Sequence, residues 1–175
     1  MLEKTFALIA GLTLLLSACG AQRGAAVPSA PDDGRLTSFA TCTPANAALN
    51  RPASASSTEN PDYLGAKLAF DGSGMGGTRW ASARSDPQWV QVDLGSPRNI
   101  CRVTLQWEAA YGKAFRVEVS NDGTTWSPVY STTTGTGGTQ TLNVSGAGRY
   151  VRMIGTARGT GYGYSLFEFQ VSGTP

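Results

Sequence analysis

Gly148-Arg149-Tyr150-Val151-Arg152-Met153-Ile154-Gly155-Thr156-Ala157-Arg158-Gly159, running on to Gly163-Tyr164-Ser165-Leu166-Phe167-Glu168-Phe169-Gln170-Val171, reads as a strand, a loop and a returning strand. The loop is rich in glycine and tyrosine, and the returning strand carries one isolated carboxylate, Glu168. Tyrosine offers a flat apolar face with a polar tip. Loops held by a rigid β scaffold are where binding residues concentrate.

Upstream the same rhythm repeats. In Gln88-Trp89-Val90-Gln91-Val92-Asp93-Leu94-Gly95, Val90, Val92 and Leu94 share one face, with Gln91 and Asp93 opposite. Ile100, Val103, Leu105 and Trp107 keep the period of two, with one break near Cys101, and Phe115, Val117 and Val119 follow suit. Asn121-Asp122-Gly123 then supplies a hairpin turn. Adding Thr139 to Val144, the pattern predicts an all-β sandwich of about eight strands. The one helical turn expected falls at Leu64 to Phe70.

The N-terminus has a different character. Residues 1–18 carry an apolar run from Phe6 to Leu16, too short to span a bilayer as a helix and ending in small residues. Leu16-Ser17-Ala18-Cys19 resembles the lipobox of bacterial lipoproteins, which implies that Cys19 is acylated and becomes the mature N-terminus. The n-region departs from that pattern, since Glu3 offsets Lys4. Residues 19–41 are mostly Ala, Gly, Pro, Ser and Asp, with little to bury, and read as a flexible tether. Residues 42–173 are left as one domain of common size. The expected location is a bacterial cell envelope, with membrane contact through the lipid anchor alone.

Composition narrows the function. The net charge is +2, and the Lys and Arg residues are scattered, which argues against a nucleic-acid partner. There is no histidine. With Cys19 lipidated, Cys42 and Cys101 form an even pair in an exported protein, so a disulfide between them is expected. Two cysteines without histidine do not make a zinc site. The usual bases and nucleophiles are missing, and most acids fall in turns or on strand faces, so the domain reads as non-catalytic.

Several motifs occur in a telling order. Asn50-Arg51-Pro52-Ala53-Ser54-Ala55-Ser56-Ser57-Thr58-Glu59 precedes Ala69-Phe70-Asp71-Gly72 and Thr78-Arg79-Trp80-Ala81-Ser82. Trp107-Glu108-Ala109-Ala110-Tyr111, Ser120-Asn121-Asp122-Gly123-Thr124-Thr125-Trp126 and Arg149-Tyr150-Val151-Arg152-Met153 follow. This sequence resembles the discoidin, or coagulation factor 5/8 type C, superfamily. Within it the chain is most similar to bacterial carbohydrate-binding modules of family 32, such as the small discoidin domains appended to a chitosanase-glucanase. The resemblance implies a jelly-roll, galactose-binding-domain-like β-sandwich with a structural calcium ion.

For calcium, the resemblance implies side-chain ligands at Asp71, Thr78 and Glu168, with backbone carbonyls near Leu68, Ser73 and Phe167. Such an all-oxygen set suits a hard cation. The segment Ser73-Gly74-Met75-Gly76-Gly77 is longer than the family pattern by an apparent two-residue insertion, and Ser73 replaces a frequent Asn. For a sugar, the resemblance implies loops at one end of the sandwich, with candidates Glu59, Tyr63, Arg84, Glu108, Tyr111 and Tyr162. Glu59 and Glu108 would accept hydrogen bonds from hydroxyl or amino groups. Tyr162 would stack on a pyranose ring, and Arg84 would offer a planar donor fork. Plainer roles are open to some of them: Glu108 could pair with Lys113 or an Arg, and Tyr111, like Tyr164, could either pack its loop or contact the ligand. Trp80, Trp89, Trp107 and Trp126 sit in or beside strand-like runs and read as packing residues. The expectation is a monomeric binder of poly- or oligosaccharide, chitosan-like, β-glucan-like or galactose-type. The alternative is an adhesin that takes protein or phospholipid on the same loops.

Overall fold

Residues 42–175 are described by the computed structural model; the expected leader (1–18), Cys19 and the tether 19–41 lie outside the described residues. The period of two fixes the strands. Val90, Val92 and Leu94 are buried while Gln91 and Asp93 between them are partly exposed, and Val103, Leu105 and Trp107 repeat this in the next stretch. Seven strands result among the described residues: β1 (Ala53–Ala55), β2 (Trp80–Ala81), β3 (Gln88–Trp107), β4 (Gly112–Ser120), β5 (Ser127–Thr132), β6 (Thr139–Arg158) and β7 (Ser165–Thr174). The expected helical turn is a short 3-10 helix, Ala66–Ala69.

All pairings are antiparallel, and β3 and β6 organise them. The two run side by side from Gln88↔Gly155 to Asp93↔Tyr150, and after a register shift from Arg98↔Gly148 to Gln106↔Thr139. The first half of β3 carries β1, and the second half of β6 carries β4 and then β5. The second half of β3 carries β7, which in turn carries β2. The long strands therefore pass from one layer of the sandwich to the other. Stretches expected as separate strands, Gln88 to Gly95 and Ile100 to Trp107, are one bent strand, because ladder bonding resumes beyond the bend. Gly95, at φ 85°, makes the bend sterically accessible, and a bulge at Cys101 accounts for the phase break in the sequence.

One core lies between the layers. Val90, Val92, Val117, Val119, Val151 and Met153 from one layer meet Val103, Leu105, Leu142, Phe169 and Val171 from the other. Aromatic pairs fill the ends, with Phe70 and Phe169 centroids 5.3 Å apart and Trp107 and Phe115 at 5.5 Å. Trp80 and Trp107 are core residues, as expected. Trp89 sits partly buried in β3, and Trp126 lies under the Arg152 guanidinium, 4.1 Å from ring centroid to Cζ. Cys42 and Cys101 form the expected disulfide, with Cα atoms 5.7 Å apart. It ties the start of the domain to β3 across a sequence separation of 59, worth about 4 kcal/mol in the chain-entropy model.

Candidate functional site

At one end of the sandwich, four loops are tied together, mostly by backbone bonds. The loop after β1 is held to β3 by Ser56 N–H donating to the Trp89 carbonyl at 2.9 Å. It is held to β2 by Glu59 N–H donating to the Ala81 carbonyl at 2.8 Å. Trp80 Nε1 donates to the Ser57 carbonyl at 3.0 Å, so a core indole anchors the loop that presents Glu59. The loop before β7 is fixed reciprocally: Ser82 N–H donates to the Tyr164 carbonyl, and Tyr164 N–H to Ser82 Oγ, both at 2.8 Å. Glu108 N–H donates to the Ser165 carbonyl at 3.0 Å, and Ser165 N–H to the Ala110 carbonyl at 2.8 Å.

These ties surround an open cleft of about 400 Å³. Glu59, Arg84, Glu108 and Tyr162, all named from the sequence, line it together. Arg84 Nη2 donates to Glu59 Oε1 at 3.0 Å, and its Cζ lies 5.2 Å from the Tyr162 ring centroid. Tyr162 is 58% exposed, so one large aromatic surface stays presented to ligand. Glu108 does not pair with Lys113 among the described ion pairs; its Oε2 accepts from Ala110 N–H at 3.0 Å and so braces its own loop.

Among the lining residues that sequence reasoning did not name as candidates, two carry orphaned polar atoms. Arg79 Nη1 and Ser165 Oγ are buried side-chain atoms at the cleft with no partner among the described residues. A buried donor left without a partner costs free energy, so both atoms are ready for a ligand's oxygens. Arg79 was quoted within Thr78-Arg79-Trp80, but nothing local marks a guanidinium nitrogen as unpaired. Tyr63 and Tyr111 are not part of the cleft lining. Tyr63 stands 65% exposed on its own loop. Tyr111 packs over Gly159, where a Cβ would meet the ring at 2.3 Å.

Tyr164 settles its two readings by being fully buried. A Cβ on Gly155 would stand 2.1 Å from its ring, so only glycine fits beneath it. Its hydroxyl donates to Asp86, which also receives Arg158 at 3.2 Å. Burial, then this bond to Asp86, pushes the Tyr164 phenol well above the usual range. Tyr164 lines the cleft, and its buried ring and bond to Asp86 fasten the loop behind it.

A second cluster of oxygens lies beside the segment 71–78. Thr78 Oγ1 donates to Asp71 Oδ2, and Ser73 Oγ lies 2.8 Å from Thr78 Oγ1. Burial alone would raise the Asp71 carboxyl, but bonds from Thr78 and Ser73 outweigh it and hold the group low. Glu168 is fully buried on β7 and accepts from Gly72 N–H at 3.0 Å and Asn46 Nδ2 at 3.4 Å. Burial first, and the Asp71 charge in addition, push its carboxyl up against the pull of the Gly72 bond. Neither acid has an Arg or Lys partner among the described ion pairs. Directly across from Glu168 on β3 stands Gln106, whose Oε1 is buried and without a partner among the described residues. That oxygen lies 3.4 Å from where a Cβ on Gly74 would be. Gly72, Gly74 and Gly76 all have positive φ, which lets this segment curl tightly. Two carboxylates, two hydroxyls and an orphaned amide oxygen form a donor set that fits a hard divalent cation. Leu68 and Phe167, whose carbonyls the resemblance implies as further ligands, lie in the 3-10 helix and in β7.

Comparison with known proteins places this architecture. Residues 52–169 match the F5/8 type C domain, and the chain belongs to that family. Chitosan-binding module 1 of a chitosanase/glucanase from Paenibacillus sp. IK-5 is 51% identical, over 73% of this chain and 98% of that one, with a TM-score of 0.69. Chitosan-binding module 2 of the same enzyme, solved with chitotriose, is 44% identical over 72% of this chain and 98% of that one, with a TM-score of 0.68. Over 81 residues, 46% of this chain, it is also 36% identical to the polysaccharide lyase 8 family protein HylA of Enterococcus faecalis. The chain spans only 6% of the length of that protein.

Proposed function

We propose that this chain is a non-catalytic carbohydrate-binding module that takes an oligo- or polysaccharide of the chitosan or β-glucan type in the cleft above. The observation that carries this reading is convergence. Glu59, Arg84, Glu108 and Tyr162 come from loops far apart in sequence and meet around two unpartnered donors. An aromatic face for a sugar ring, with carboxylates for its hydroxyl or amino groups and the Arg79 guanidinium for its hydroxyl oxygens, is chemistry suited to a pyranose. The similar Paenibacillus modules are named for chitosan, which favours an amino sugar among the candidates. An open cleft covering one or two rings predicts weak binding, on the order of 0.1 to 1 mM.

Three further parts belong to the reading. A calcium ion held by Asp71, Thr78 and Glu168, with Ser73 and Gln106 beside it, would brace the loop before β2; its role is structural, by charge neutralisation. The chain acts as a monomer without a catalytic centre. Lipidation at Cys19 places it on a bacterial envelope, on the strength of the N-terminal sequence.

The test is titration calorimetry of the protein with glucosamine trimer, laminaritriose and galactobiose. Saturable heat with at least one sugar, lost in Y162A at unchanged melting temperature, supports the reading. Absence of heat with all three, together with binding to phospholipid vesicles, would transfer the site to the adhesin alternative.

A further inference from the structure

Arg84 makes both contacts that a sugar's cation would seek in this cleft. Its guanidinium donates to Glu59 at 3.0 Å and lies 5.2 Å from the Tyr162 ring centroid, which engages a carboxylate and an aromatic face together. A protonated amine on a pyranose wants the same two neighbours: an anionic acceptor for its N–H groups and a π face beside it. The other lining groups do not offer that pair. Glu108 braces Ala110 N–H, and Arg79 is itself a cation. The Arg84 side chain is 58% exposed and Glu59 40% exposed, so their contact is solvent-screened and readily exchanged.

We infer that Arg84 is an internal competitor that occupies the amine position of the cleft and thereby sets its selectivity between cationic and neutral sugars. The inference rests on the sugar-binding reading proposed above. A cationic sugar has to displace the guanidinium from both Glu59 and Tyr162 before it gains the same contacts. A neutral sugar leaves the ion pair in place and meets Arg84 as part of the wall. The native cleft is therefore less selective for amino sugars than its two carboxylates alone would make it.

The experiment compares the native protein with R84Q, and with E59Q/R84Q, by calorimetric titration with glucosamine trimer and with its fully N-acetylated form. R84Q should bind glucosamine trimer about three- to tenfold more tightly, as release of one exposed ion pair and one cation–π contact allows. The N-acetylated trimer should show no gain and lose at most what Arg84 gives it as part of the wall, since it brings no cation to the vacated position. In E59Q/R84Q the gain should vanish, because the carboxylate that the amine inherits is gone. Weaker or unchanged binding of glucosamine trimer by R84Q makes Arg84 a direct ligand contact and overturns the inference. An equal gain for both trimers makes Arg84 a steric cover and also overturns it. If neither the native protein nor R84Q binds either trimer while both melt normally, the amino-sugar reading of the cleft fails, and this inference falls with it.

Discussion

The cleft and the 71–78 loop each bring carboxylates into one place, yet they handle charge in opposite ways. In the cleft, Glu59 and Glu108 are at least partly exposed and each already has a protein partner, Arg84 or the Ala110 amide. Beside the loop, Glu168 is wholly buried, Asp71 lies within reach of its charge, and no cationic side chain among the described residues answers either. Exposed charges with exchangeable partners cost little to rearrange, which suits a ligand that comes and goes. A buried, unanswered carboxylate is costly until a cation arrives, which suits an ion that stays. The difference teaches that the environment, rather than the residue type, separates an acid with exchangeable partners from one fixed in the fold.

The sharpest way to break this contrast is at Glu168. In calcium at a hundredfold over its Kd, the native protein should gain about 2.7 kcal/mol of stability by mass action. Thermal melts in chelator and in millimolar calcium measure it. E168A and D71A should melt identically in both, while E59A and E108A keep the full rise. Equal calcium responses in all four variants would erase the distinction between the two regions.

Tyr162 probes the other side. Y162A should lose roughly 1 to 2 kcal/mol of sugar affinity, about tenfold or more, by removing an exposed stacking face, with no change in melting temperature. A drop in melting temperature larger than the drop in affinity would make Tyr162 a scaffold residue like Tyr164.

A smaller effect is expected from E108Q, which keeps the acceptor for Ala110 N–H and removes only the charge. Binding of glucosamine trimer should weaken and lose part of its salt dependence, while a neutral β-glucan trimer is nearly unaffected. Calorimetry at two salt concentrations distinguishes these outcomes.

The smallest effect concerns acid. The Asp93 carboxyl is held below its ordinary 3.8, chiefly by the bond from Arg149, which contacts it twice at 2.6 and 2.7 Å. A depressed folded-state pKa stabilises the fold above the unfolded value, and that contribution is lost as pH falls below about 4. D93N should flatten the native protein's loss of melting temperature below that pH. Its sugar affinity at neutral pH should match the native value, since Asp93 lines neither region.

Much of the fold was legible along the chain because strand burial is a local pattern. Alternation at Val90, Val92 and Leu94 names the buried face without knowledge of the partner strand, and the turn at Asn121-Asp122-Gly123 is encoded where it occurs. The Cys42–Cys101 bridge was legible by count. The bends of β3 and β6 were not, because whether pairing resumes beyond Gly95 depends on a strand some fifty residues away. The site was half legible. Glu59, Arg84, Glu108 and Tyr162 were named from motif order and do meet, but Tyr63 and Tyr111 were named on the same grounds and stand apart from the cleft. A tyrosine beside glycine reads alike whether it presents its face to solvent or lies on Gly159.

By itself, then, the sequence determined the alternating strands, the paired cysteines, the family order of motifs and the acids available for chemistry. Only the tertiary structure decided that Arg84 already fills the space between Glu59 and Tyr162. It alone left Arg79 Nη1, Ser165 Oγ and Gln106 Oε1 without partners, and it alone buried Glu168 beside Asp71. The physical reason is that propensity and period act between neighbours in the chain, whereas desolvation and hydrogen-bond satisfaction depend on what packs nearby from anywhere in it.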